Sequence, residues 1–182
     1  SDIEILHMPV SSHSKRDFRI FLKSYDRMGY LSDKVYMMYA KELFKMGDLK
    51  DFKDSKKIFL PVWLENPMSD RGKEAACVLT RLARLENNPS DILKYALRDM
   101  METPCSEICY ELGSFYRDKG DYNEAIVWFL NARYETSSII DICTSGNLPL
   151  GGLVHCYKEL AKKEQNSAYD EAIATYKEEL AN

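Results

Sequence analysis

Apolar side chains recur along this chain at the three- and four-residue spacing that gives a helix one buried face. Between Ser12 and Met28 the positions Phe18, Phe21, Leu22 and Tyr25 share a stripe, and Gly29 follows as a stop. Lys34 to Met46 carries Tyr36, Tyr39, Ala40 and Leu43 on one face before Gly47, and Arg71 to Leu85 carries Ala76, Leu79, Leu82 and Ala83. Leu150 to Leu160 repeats the device with Leu153, Val154 and Tyr157. The punctuation between these runs is helix-end chemistry. Asn88 suits an N-cap and Pro89 a first helical position, Pro104 breaks the chain after Thr103, and Gly120 with Asp121 turns it. The pattern predicts an all-helical protein with an amphipathic helix leading the rest.

The stretch Ser106 to Ala132 is the most informative. It holds Leu112-Gly113-x-x-Tyr116, then Gly120, then Ala125-x-x-x-Phe129 and Ala132. Small residues at 113 and 125 let two antiparallel helices approach, and the rings at 116 and 129 fill the space beside them. This spacing is identified as that of a tetratricopeptide helix–turn–helix repeat, with Cys109 where the motif prefers Trp. Asp51-Phe52-Lys53-Asp54-Ser55-x-x-x-Phe59 and Ala168-Tyr169-Asp170-Glu171-Ala172-x-x-x-Tyr176 echo it, and a weaker copy sets Ile92 at the small site and Ala96 at the aromatic one. The small sites Ser55, Ile92, Ala125 and Ala172 lie 37, 33 and 47 positions apart, against about 34 for such repeats. The last interval requires an insertion, in the loop from Thr136 to Pro149 or in the turn from Ala161 to Ser167. The expectation is a right-handed superhelical stack of about four degenerate helix pairs, over residues 31–64, 69–102, 104–135 and 149–181. Residues 1–11 form an extended lead-in, and 12–182 a single domain.

Composition narrows the function. The chain is 45% hydrophobic and 30% charged with a net charge of −4, an ordinary globular balance without the basic excess of a nucleic-acid binder. No apolar run approaches a membrane span, and the amino end lacks a secretory layout. Cys77, Cys105, Cys109, Cys143 and Cys156 follow no disulfide framework and read as reduced thiols in a cytoplasmic protein. Beginning on Ser1 instead of Met fits a segment of something longer.

A wider resemblance rests on Val35-Tyr36-x-x-Tyr39-Ala40-x-Glu42-Leu43 before Gly47, on Glu107-Ile108-Cys109-Tyr110-Glu111-Leu112-Gly113, and on the break from Ser137 to Gly152 before Leu153-x-x-Cys156-Tyr157-x-x-Leu160. Over residues 15–180 the chain resembles the helical region that follows the catalytic domain in bacterial family 2 glycosyltransferases. That resemblance implies an accessory domain that positions a protein acceptor or self-associates as a homodimer. The Asp-x-Asp metal motif of such transferases is missing; Asp48, Asp51 and Asp54 stand three apart at a helix start. This segment is therefore expected to be no enzyme by itself.

Other chemistry is sparse. His7, His13 and His155 are too scattered for the three or four convergent ligands of a zinc site. Cys105 and Cys109 share a helix face near its start, yet Cys109 sits at a packing position. No phosphate loop or nucleophile triad occurs, so no cofactor is expected. The tyrosines, Trp63 and Trp128 suit packing between helices better than base stacking.

Binding is expected on the concave wall lined by the first helix of each pair. Registration on the small sites predicts Met37, Lys41, Phe44 and Lys45 there, then Cys77, Arg81 and Arg84, then Tyr110, Ser114, Arg117 and Asp118, and finally His155, Lys158 and Glu159. Lys41, Lys45, Arg81, Arg84, Arg117 and Lys158 would make this wall basic within an acidic chain and attract an acidic peptide or a phosphate-bearing ligand. The alternative to a transferase accessory domain is thus a free-standing adaptor for an acidic peptide. The loop Ser137–Gly152 is long enough to be functional, folding into the groove or touching a partner domain.

Overall fold

Nine α-helices account for nearly all of residues 13–100, 104–164 and 166–181, which the computed structural model describes. The lead-in expected over 1–11 lies outside these residues. Helix α1 spans His13–Met28, α2 Asp33–Met46, α3 Leu49–Glu65, α4 Asp70–Leu85, α5 Pro89–Met100, α6 Ser106–Asp118, α7 Tyr122–Leu130, α8 Asn147–Lys163 and α9 Ser167–Ala181. Helices α4/α5, α6/α7 and α8/α9 pack as pairs, α2 and α3 run antiparallel through the ring contacts Phe44–Phe52 near their turn and Tyr36–Phe59 further out, and each pair packs on the next. The fold is the expected all-α stack of tetratricopeptide-like pairs with a leading helix.

Local chemistry sets the boundaries. Asp48 and Asp51 exchange side-chain-to-backbone hydrogen bonds of 3.0 Å at the start of α3, a capping box built from two aspartates. Asn88 Oδ1 accepts from Asp91 N–H at 3.2 Å at the start of α5. Gly120, with φ of +79°, takes the left-handed turn after α6 that side chains resist. Helix α1 lies on α2 and α3, where Phe18 and Phe21 set their rings 5.9 and 4.9 Å from Tyr39.

Two clusters make up the core. One runs from Phe18 through α2–α6 to Ile140, and the other gathers α7 and α8 around Phe129. Phe129 is clamped from both sides: a Cβ on Gly113 of α6 would lie 2.7 Å from its ring, and one on Gly152 of α8 would lie 2.6 Å from it. Gly113 was expected as a close-approach site, but Gly152 was read as a loop glycine and in fact stands inside α8. Both belong to the packing of α7 between its neighbours.

The oversized last interval is taken up mainly between α7 and α8. Helix α7 ends in a π-turn, Asn131–Glu135, and an irregular stretch with a short 3₁₀ turn, Ile142–Thr144, leads into α8. The α8–α9 turn is brief. Helix α9 buries no residue fully, so Ala172 is only half-buried, unlike Ser55, Ile92 and Ala125.

Candidate functional site

Helices α2, α4, α6 and α8 stack side by side as the inner layer of the array. Residues 137–145 fold back across that layer, and one carboxylate holds them. Glu107, 0% exposed in the first turn of α6, accepts three consecutive backbone N–H groups on Oε1: Ile139 at 3.0 Å, Ile140 at 2.7 Å and Asp141 at 2.9 Å. The neighbouring Ser106 hydroxyl lies 2.7 Å from Thr144 Oγ1, and Ser106 N–H donates to Ser137 O at 3.0 Å. A buried charge is stable only when its acceptor capacity is filled, and these donors fill it. The segment thus seats Ile140, 7% exposed, in the core cluster of α2 and α4.

Crossing the inner layer, the segment leaves a cleft on each side. The larger, about 660 Å³, is lined by Lys41, Phe44 and Lys45 of α2, Arg81 of α4, Ile140–Cys143 of the loop and Leu148 of α8. Lys41 and Lys45 are exposed and form no ion pair among the described residues. Phe44 is a buried floor on which the Arg81 guanidinium stacks at 4.7 Å. Ile142 and Leu148 bring exposed apolar surface to the rim.

Of the cations expected on the wall, Lys41, Lys45 and Arg81 meet in this cleft. Arg84 does not line it. Glu111, 0% exposed, pairs with Arg84 and lies 3.5 Å from Arg81 Nε, so both guanidiniums counter a buried carboxylate. Arg84 also lies 3.7 Å from Asp118, which Arg117 contacts at 2.9 Å. Ser114 is 1% exposed and Cys77 is fully buried, so neither faces a ligand; the close contact of α4 with α6 covers this stripe. Tyr110 is half-buried with its ring 5.8 Å from Phe129. His155 and Lys158 are exposed on α8, the His155 ring 6.2 Å from Tyr122 of α7, and neither lines the cleft.

The smaller cleft, about 290 Å³, is lined by Met37, Asp70, Lys73, Glu74 and Ile139. Burial pushes Glu74 up from its ordinary 4.5 to about 7, against the pull of Arg71. A carboxyl raised in the folded state contributes stability that is complete below pH 4.5 and lost as pH rises through about 7. Glu74→Gln is therefore expected to be more stable than the parent by about 1–3 kcal/mol at about pH 8, with the two converging at acid pH. Urea titrations across that range check it.

The thiols are arranged differently from the Cys105–Cys109 face suggested by spacing. Cys109 is buried, and Cys105 Sγ lies 3.4 Å from Cys77 Sγ of α4. With Glu107 they form the one triple of potential metal-ligating atoms within 4.8 Å of one another among the described residues. Glu107 is already engaged by the loop.

Sequence reasoning missed Glu107, Glu74 and the seat for Ile140. The order Ser-Glu at a helix start carried no sign that the acid is buried, and its partners lie in a loop more than thirty positions on.

The architecture defines a helical-repeat scaffold, in which stacked pairs expose a continuous inner surface. Within it, residues 106–132 match the tetratricopeptide repeat family. The chain matches no curated protein and no solved structure. Such repeats serve protein–protein interaction, and that is the functional class the fold carries. No helix among the described residues is long and apolar enough to cross a membrane.

Proposed function

We propose that this chain is a non-catalytic interaction domain that takes an acidic peptide in the cleft between α2, α4 and the 137–145 loop. The observation that carries the reading is the pair of exposed cations, Lys41 and Lys45, which have no ion-pair partner among the described residues and are set over an apolar floor of Phe44 and Ile140. An acidic side chain meets the ammonium groups while a neighbouring apolar one covers Phe44, Ile142 and Leu148. Charge at such a rim steers association and weakens with salt.

The test is fluorescence anisotropy with labelled decapeptides of Asp, Glu and Leu, compared with Lys, Arg and Leu counterparts. Lys41→Glu with Lys45→Glu is expected to lower affinity for the acidic set at least tenfold, while Lys158→Glu leaves it within twofold. Equal binding by both variants, or by acidic and basic peptides alike, rejects the cleft. Arg81 and Arg84 are poor probes because Glu111 depends on them.

The resemblance of residues 35–47 and 107–113 to the helical part of family 2 glycosyltransferases supports a second reading. In it the peptide belongs to a protein acceptor or to an adjoining transferase domain, or the surface mediates homodimerisation. The cysteine usage supports a cytoplasmic setting for either.

A further inference from the structure

The stripe of α4 that faces the loop changes sign along its length. Asp70 and Glu74 lie at one end and Arg81 at the other, with Cys77 buried beneath the crossing between them. Helix α2 runs the same way, from Asp33 to Lys41 and Lys45. The basic pole is the cleft described above, and the acidic pole is the smaller one. There Glu74 is 8% exposed, and its Oε2 has no hydrogen-bond partner among the described residues. A buried carboxyl oxygen without a donor is an incomplete arrangement, since buried polar groups are otherwise paired.

We propose that Asp70 and Glu74 form a second subsite that takes a lysine or arginine side chain of the same peptide, on the opposite side of the Ile139–Ile140 crossing from the basic cleft. The inference rests on the acidic-peptide reading and adds a charge of opposite sign to the ligand. Met37 and Ile139 line the same cleft and flank the methylene stem of a long cationic side chain, whose head reaches Glu74. A bare divalent ion is a poorer occupant, because the cleft is walled on two sides by the apolar side chains of Met37 and Ile139. Glu74 and Arg81 are seven residues apart on α4, about 10 Å along its axis. An extended peptide covers that in about three residues, so the ligand's basic and acidic residues stand three or four positions apart.

Protonation gives the subsite a signature. Glu74 is held near pH 7 by burial, with Arg71 opposing and Asp70 and Asp33 reinforcing the rise, and Lys41 opposing more weakly. Lys73 of α4 also borders the cleft, and Ile139 brings no titratable group from the loop. Capture of a cation therefore weakens as pH falls from about 8 to 6, and this dependence disappears when the carboxyl is removed. Gln at position 74 keeps the shape and removes a buried charge, so folding is not at risk.

The experiment is selection from a phage-displayed library of random dodecapeptides against the wild-type protein, Glu74→Gln, and Lys41→Glu with Lys45→Glu. The wild type is expected to enrich peptides that pair an acidic residue with a Lys or Arg three or four positions away. Glu74→Gln keeps the acidic preference and loses the basic one. The resynthesised best peptide binds Glu74→Gln about tenfold more weakly, and its Lys→Gln form binds both proteins equally. Acidic peptides with no basic preference, or a basic preference that survives in Glu74→Gln, overturn the subsite while leaving the acidic-peptide reading intact. No enrichment, or enrichment unaffected by Lys41→Glu with Lys45→Glu, removes that reading and the subsite with it.

Discussion

Alanine at position 107 is expected to release the 137–145 segment and to destabilise the protein by about 3–5 kcal/mol. The carboxylate accepts the N–H groups of Ile139, Ile140 and Asp141 and is fully buried. Hydrogen bonds to a charged acceptor contribute about 1.5–3 kcal/mol each, and donors left buried without a partner cost more than donors that reach water. The segment therefore swings outward, rehydrates its amides and takes Ile140 out of the core. Glu107→Gln keeps one acceptor oxygen without the charge and should lose about half as much. Denaturant titrations give the size of the effect. Hydrogen exchange gives its location, with amides 139–141 changing from slow to fast while those of α3 and α5 keep the protection that the lowered stability allows. Slow exchange at 140 and 141 in Glu107→Ala contradicts the account of what holds the loop.

The second large effect centres on Phe129. Gly113→Ala and Gly152→Ala each place a methyl within 2.7 Å of its ring, and each should cost about 2–4 kcal/mol, in the upper range for overpacking a core. Phe129→Ala should cost about 3–5 kcal/mol by leaving a cavity. The combination is diagnostic. Gly113→Ala in the Phe129→Ala background has nothing to strike, so the double variant should be no less stable than Phe129→Ala alone, a strongly non-additive result. Additive losses would show that the glycine serves some purpose other than admitting the ring.

How much of this was legible in the sequence depends on the reach of each contact. Gly113, Ala125 and Phe129 lie within one helix pair, and their spacing alone disclosed the contact. Gly152 meets the same ring from the next pair, beyond an irregular stretch, and therefore passed for a loop glycine. Lys41 and Lys45, expected on one wall by helical register, both line the cleft beside the loop. Arg84, expected on the same wall, is engaged elsewhere, because register says which face a side chain leaves from and nothing of what waits there. The buried Glu111 that claims it reads in sequence as one more acid on a charged helix. Glu107 was hidden for a related reason. An acid in a first helical turn is accounted for by the helix dipole alone, and nothing local signals that it is buried and binds a loop. The destination of the long insertion was open between groove and partner, and the donors on Glu107 place it on the groove.

The proposed binding surface is the inner face beside this loop. Amide chemical-shift mapping locates it, with the backbone of the wild-type protein assigned and an acidic, leucine-containing decapeptide titrated in. The account predicts shifts that saturate together at Lys41, Phe44 and Lys45 of α2, at Arg81 of α4 and at residues 140–143. Saturating shifts confined to the outer helices α3, α5 and α7, with the inner face and the loop unmoved, would contradict it.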